Sequence, residues 1–293
     1  MITNEAANII YAYLNSTIIK NYRAGVKNII NTANSDYKKG KFSLTDIKHR
    51  VHFDNDSKLF KIKYTKNDAI AVKSFKLEAF AVGNVGEYEL NEKLKQLYLD
   101  LKGDKDKFYN ESQQLMLDYG IGLEDQMPAG WLESQMVTAE LRSYSSSRWI
   151  KANDPDISEL YPAVKTFTRG DSKVRASHKQ MYEDRVYLKS DPNLPAILPP
   201  ALGQYRCRCT WKPAARWEVE SIDDIELIKK SDYKEKLDFE NITNPADINS
   251  IYQGYLKGKF KDLPPDALKD IRKNLNAFSK QLNLDDIIEE LNN

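Results

Sequence analysis

Between Glu5 and Asn34 the apolar residues Ile10, Leu14, Ile18, Tyr22, Val26 and Ile30 recur at every fourth position. Side chains four apart stack on one helical face, so the spacing predicts a long amphipathic helix with Thr3 or Asn4 as its cap. The constraint reaches beyond that helix, because its stripe has to be covered. Packing within the chain is the expected cover, since large exposed apolar patches are rare on soluble proteins.

Downstream, Val51 and Phe53, then Phe60, Ile62 and Tyr64, alternate with polar residues around the turn-forming run Asp54-Asn55-Asp56-Ser57. This predicts a β-hairpin near residues 50–65. His49 and His52 sit three apart at its start. With no thiol or carboxylate spaced to complete a ligand set, they read as surface or packing histidines. Helical spacing returns at Asn67–Val82, Tyr88–Leu101 and Lys105–Tyr119, with a break at Gly103-Asp104 and a stop at Gly120. Pro128 suits the first turn of a further helix through Trp131, Leu132, Met136, Ala139 and Leu141 to about Ile150.

From Tyr161 the character changes. Val164, Thr166 and Thr168 alternate as a strand, Arg185 to Leu188 reads as a second and Tyr205 to Trp211 as a third, with a short helix or turn around Ala176 to Met181 and a proline-rich loop between them. After Trp217, helices are expected from Asp223 to Lys230, from Pro245 toward Leu256, from Pro264-Pro265-Asp266 with Leu268, Ile271, Leu275 and Phe278 on one face, and from Asp285 to Leu291. The expected class is α+β in three regions: a helical N-terminal region with its hairpin (1–127), a compact α+β core (128–218) and a small helical appendage (219–293).

Charge excludes some partners. The chain carries 44 basic and 43 acidic residues, so no global field draws it to nucleic acid or an anionic membrane. The N-terminus is apolar in stripes and carries Glu5 early, and no apolar run approaches the roughly 18 residues of a membrane span. Two cysteines exclude a disulfide framework and point to a reducing cytoplasm or a particle assembled there.

Both cysteines, Cys207 and Cys209, lie in the Tyr161–Trp211 stretch with His178. On an extended strand, residues two apart leave the same face, which suits two ligands of one metal better than a strained disulfide. His178, Cys207 and Cys209, with Asp171 or water as a fourth ligand, would make a zinc site. A lone C-x-C pair equally fits two small buried hydrophobes with a histidine hydrogen-bonded in a loop. A thiol nucleophile beside His178, its pKa lowered by that neighbour or by Arg206 and Arg208, is a third chemistry for the same residues.

The succession Asp171, Val174, Arg175, His178, Val186, Asp191, Pro192, Pro199, Pro200, Gly203, Cys207, Arg208 and Cys209 resembles the core of the Mu F-like phage head morphogenesis family, the minor head proteins. The preceding helix, WLESQMVTAELRSYSSSRW, is similar to the family's helix before that core. The resemblance spans about Phe80 to Trp211 and is strongest from Tyr161 onward. Two departures are visible: Lys-Gln-Met-Tyr-Glu-Asp follows His178 where the family has a short turn, and no aromatic follows Asp191-Pro192. The resemblance implies a minor capsid component of a tailed phage or prophage, bound to the portal, the major capsid or the scaffolding protein. It would assemble in the host cytoplasm and reside in the virion, near packaged DNA without binding it strongly. The competing expectation is a metal- or thiol-dependent enzyme or toxin built on His178, Cys207 and Cys209. Arg175 is expected to be buried against Asp171 or Asp191, pinning the loop to the strands.

Overall fold

The period-four stripe folds as α1, Glu5–Lys38, and all six of its residues are at most 2% exposed. A computed structural model of the chain describes residues 5–48, 50, 52–102, 104–122, 130–189, 194, 209–215, 218 and 263–293. Within these, α1 is covered by α2, Lys66–Asp100, and by α4, Gly130–Ala152, so the expected intramolecular cover is formed. Glycine sets how near these helices come. A Cβ on Gly25 would lie 2.5 Å from the Tyr144 carbonyl oxygen of α4, and one on Gly83 would lie 2.5 Å from the Ala7 carbonyl oxygen of α1.

Gly83 and Gly86 explain why α2 is one helix of 35 residues where the spacing predicts two. Interior glycines cost a helix about 1 kcal/mol each relative to alanine. Here they permit close contact: Gly83 lies against the Ala7 backbone and Gly86 against Ile10 and the Trp131 ring. Asp68 starts the helix by accepting from Thr65 N at 2.7 Å and Thr65 Oγ1 at 2.8 Å. The shorter α3, Lys105–Asp118, begins where the Asp104 carboxylate accepts from Lys107 N. It ends before Gly120, whose φ of +82° explains the stop.

The hairpin is present but short. β1, Phe53–Asp54, pairs antiparallel with β2, Leu59–Phe60. The ladder runs one bond further, from Lys61 N to His52 O at 2.8 Å, and the expected continuation through Ile62 and Tyr64 is absent because the His52 N–H turns to Asp156 Oδ2 at 2.6 Å. On the outer edge of β2 the Asn34 side-chain amide donates to Phe60 O at 2.9 Å and accepts from Phe60 N at 2.7 Å. Phe53 and Phe60 then pack edge to face, with Phe42 and Tyr37 beside them.

After α4 comes α5, Pro155–Leu160, a short helix not expected from the sequence, with Pro155 in its favoured first position. The second sheet has the order β4-β3-β5, all antiparallel, with β3, Ala163–Phe167, in the centre. β4 is Val186–Leu188, and β5 is Thr210–Ala214 rather than a strand ending at Trp211. Residues 205–208 of the expected strand lie outside the described residues. As an edge strand, β5 tolerates Pro213 opposite Val164. α6, Ala176–Tyr182, connects β3 to β4, and Asp184 at φ +53° makes the turn out of it. Arg148 of α4 clamps this sheet to the helices: it donates to Trp211 O, and its guanidinium carbon lies 4.4 Å from the Trp211 ring centre.

The expected C-terminal pair is present as α7, Pro265–Gln281, and α8, Leu284–Asn292, with Ile271, Leu275, Ile287 and Leu291 buried. The helices expected at Asp223–Lys230 and from Pro245 lie outside the described residues. Predominantly helical with two small antiparallel sheets, the described fold is of the α+β class.

Candidate functional site

Local structure brings together two residues singled out from the sequence. α6 turns His178 inward, to 2% exposure, and the start of β5 places Cys209 against it. The Cys209 Sγ to His178 Nδ1 distance is 3.5 Å, with the Tyr182 ring edge-on to the imidazole. Asp171 stands apart as the organiser of the loop before α6: its carboxylate accepts from Lys173 N at 3.0 Å and its carbonyl from Val174 N. Asp171 and Val174 are half-buried.

One expectation is overturned. Arg175 is exposed and stands at the N-cap of α6, so it forms no buried clamp with Asp171. Capping there requires only its extended backbone, which leaves the guanidinium free to take the hydration it favours. Asp191, Pro192, Pro199, Pro200, Gly203, Cys207 and Arg208 lie outside the described residues. Among the described residues no group of three or more histidine, cysteine or acidic side chains gathers in metal-binding fashion.

A second cluster, of buried ionisable groups, was not anticipated. Lys151, near the end of α4, is fully buried, and its Nζ donates to Asp154 Oδ2 at 2.8 Å, Asp68 Oδ2 at 3.1 Å and Lys63 O at 3.2 Å. The His52 Nε2 atom lies 3.1 Å from the same Nζ. On its other side, His52 Nδ1 faces Asp156 Oδ1 at 3.1 Å, while its backbone N–H donates to Asp156 Oδ2 at 2.6 Å. Tyr22 of α1 completes the group, donating its hydroxyl to Asp68 Oδ1 at 2.9 Å.

The environment polarises these groups in different directions. Burial and the adjacent Asp68 carboxylate hold the Tyr22 hydroxyl well above the ordinary tyrosine range. Burial raises Asp154, opposed by Lys151 and His52. Burial also pushes on Asp156, but hydrogen bonds from the His52 ring and backbone outweigh it, leaving Asp156 below the usual carboxylate range. The members come from α1, the hairpin, the first turn of α2, the end of α4 and the start of α5. Buried and mutually hydrogen-bonded, they tie five elements together at one point. The legible trace was Thr65-x-x-Asp68, a capping pattern, and Lys151 on the α4 face that also carries the buried Ser143 and Ser147.

Lys189 lies beside this hub at the end of β4, its ammonium donating to Ala152 O and to Ser158 Oγ. Burial lowers its pKa to about 7, against the opposing pull of Asp154. Between that value and the ordinary lysine range the unfolded chain binds the extra proton, so stability rises with pH across this window. Thermal unfolding of the native chain minus that of Lys189→Met should therefore climb from pH 7 to pH 10; parallel curves would exclude a neutral Lys189 in the fold.

Fold and sites together define a mostly helical α+β protein with a charged hub and a thiol–imidazole contact in its core. No protein-family model matches the chain, and searches of curated proteins and of solved structures find no match either. Among the described residues, no helix is long and apolar enough to cross a membrane.

Proposed function

We propose that the protein is a minor head component of a tailed phage or prophage, built into the procapsid next to the portal, the major capsid or the scaffolding protein, and present in the virion. The observation that carries this reading is the ordered run from Asp171 to Cys209, with its resemblance to the Mu F-like core. Support comes from the way β3, α6, β4 and β5 form one small unit in which His178 meets Cys209 across 31 positions of sequence. That unit is braced on long helices through Arg148 and Trp211, as befits a part that transmits load rather than one that opens around a substrate. The near balance of charge suits a component that lies near packaged DNA without binding it tightly.

Particles purified from a strain carrying this gene should contain the chain at fixed stoichiometry from the procapsid stage onward. Quantitative proteomics of procapsids and mature heads that never finds it would overturn the assignment.

A second reading rests on the 3.5 Å separation of Cys209 Sγ and His178 Nδ1. Tetrahedral zinc, with bonds of about 2.3 Å to sulfur and 2.0–2.1 Å to nitrogen, sets its ligands about 3.5 Å apart. His178 and Cys209 thus stand as two ligands of a structural zinc would, and Cys207, which lies outside the described residues, is the candidate third ligand in the sequence. Burial of both groups favours a structural role over the metal- or thiol-dependent enzyme or toxin. Metal analysis of the purified chain should find stoichiometric zinc that is lost in Cys207→Ser and Cys209→Ser; zinc-free native protein that melts cooperatively would remove the metal.

A further inference from the structure

Within the hub, Lys151 of α4 and Asp68 of α2 face each other with both side chains wholly enclosed, Nζ to Oδ2 at 3.1 Å. An amine fixed against a carboxyl group out of water holds the parts of an amide bond, and proximity of this kind supplies an effective concentration of about 10⁵ M or more. The Asp68 carboxyl is held as an electrophile is held. Its Oδ1 accepts from the Tyr22 hydroxyl at 2.9 Å, and its Oδ2 accepts from Thr65 N at 2.7 Å and Thr65 Oγ1 at 2.8 Å. Donors fixed on both oxygens draw charge from the carbon between them and stabilise the oxyanion that forms when that carbon is attacked. On the amine side two bases are in reach: Asp154 Oδ2 lies 2.8 Å from Nζ and His52 Nε2 3.1 Å. Asp156 Oδ1 faces His52 Nδ1 at 3.1 Å, an arrangement that keeps a proton on Nδ1 and turns the Nε2 lone pair toward Lys151. Burial, opposed by Lys151, raises Asp154 above the usual carboxylate range, so it takes a proton more readily than an exposed carboxylate.

We propose that, once the chain has folded, Lys151 Nζ attacks Asp68 Cγ and the two side chains become joined by an isopeptide bond. The ion pair described above is the reactant. The Nζ–Cγ bond forms and the Cγ–Oδ2 bond breaks. Of the three ammonium protons one stays on the amide, and two pass by way of His52 Nε2 and Asp154 Oδ2 to the departing oxygen, which leaves as water. A cation and an anion become a neutral amide, and no oxidant, cofactor or second protein is consumed. Enclosure favours the product twice: it removes a buried ion pair whose desolvation is costly, and it excludes the water that would hydrolyse the amide. The bond closes a loop of 83 positions between α2 and α4 and constrains the unfolded chain as a disulfide does.

Intact-mass measurement of the purified full-length chain tests the bond directly. After incubation at neutral pH the denatured protein should be one water lighter than its 33.8 kDa sequence mass. Tandem mass spectrometry of a digest should then find the peptide of Lys151 branched to that of Asp68. Lys151→Arg and Asp68→Ala should each keep the full mass. His52→Gln with the native circular dichroism spectrum should accumulate the link about 100-fold more slowly after synthesis, as expected for loss of a positioned base; an unchanged rate would overturn the base assigned here. Native chain that melts cooperatively yet keeps its full mass overturns the inference. So does a loss of water mapped to any other pair, Lys151 and Asp154 included.

Discussion

Lys151→Met is expected to destabilise the fold by about 3–5 kcal/mol, the range for removing one partner from a buried ionic cluster. Lys151 is the cation that faces both Asp68 and Asp154, and its Nζ is enclosed on all sides. Methionine fills nearly the same volume, so the loss comes from the carboxylates rather than from a cavity. Without the ammonium, Asp68 retains its hydrogen bonds from Thr65 and Tyr22 but has no countercharge in a low-dielectric interior. Urea unfolding at neutral pH measures the effect, and adding Asp154→Asn should recover part of it by removing one uncompensated charge. A loss below about 1 kcal/mol would place Lys151 among surface ion pairs and contradict the hub.

The second large effect is expected at Gly25→Val. A Cβ there would lie 1.9 Å from Ser147 Oγ and 2.5 Å from the Tyr144 carbonyl oxygen. The hydroxyl can rotate at the cost of its hydrogen bond to that carbonyl, but the carbonyl belongs to the α4 backbone and can move only with the helix. Helix propensity and packing therefore oppose each other. Replacing an interior glycine gains at most about 1 kcal/mol of propensity, while overpacking costs about 1–3 kcal/mol and more when backbone must shift. Packing prevails, and a net loss of about 3 kcal/mol is expected, with a smaller loss of the same sign for Gly25→Ala. A raised melting temperature in either variant would show that α1 and α4 are not in contact at this point.

Most of the helices were legible because their evidence is local. Ile10 to Ile30, and Leu268 to Phe278, announce their faces by spacing alone, and Asp104 and Gly120 mark helix ends by their backbone chemistry. The misjudged elements have one cause. Gly83 and Gly86 look like a break until Ala7, Ile10 and Trp131 are known to lie against them. The hairpin was drawn too long because Asp156, far away in sequence, takes the His52 N–H that would extend its ladder. Arg175 was expected inside because a motif arginine near Asp171 suggests an ion pair, whereas exposure is decided by what packs above it.

The candidate site divides in the same way. Residue type and order singled out His178 and Cys209, and the fold brought them into contact. Lys151 and His52 stand 99 positions apart, Lys151 and Asp68 83 apart, and His52 and Asp156 104 apart, and no spacing rule reaches across such distances. By itself the sequence determined where most of the helices lie, which face of α1 and α7 is apolar, and that the net field is near zero. Only the tertiary structure decided which charged groups leave water and which glycines serve close approach. Secondary structure follows from interactions within a few residues, whereas burial of a charge is favourable only when partners from several elements arrive together.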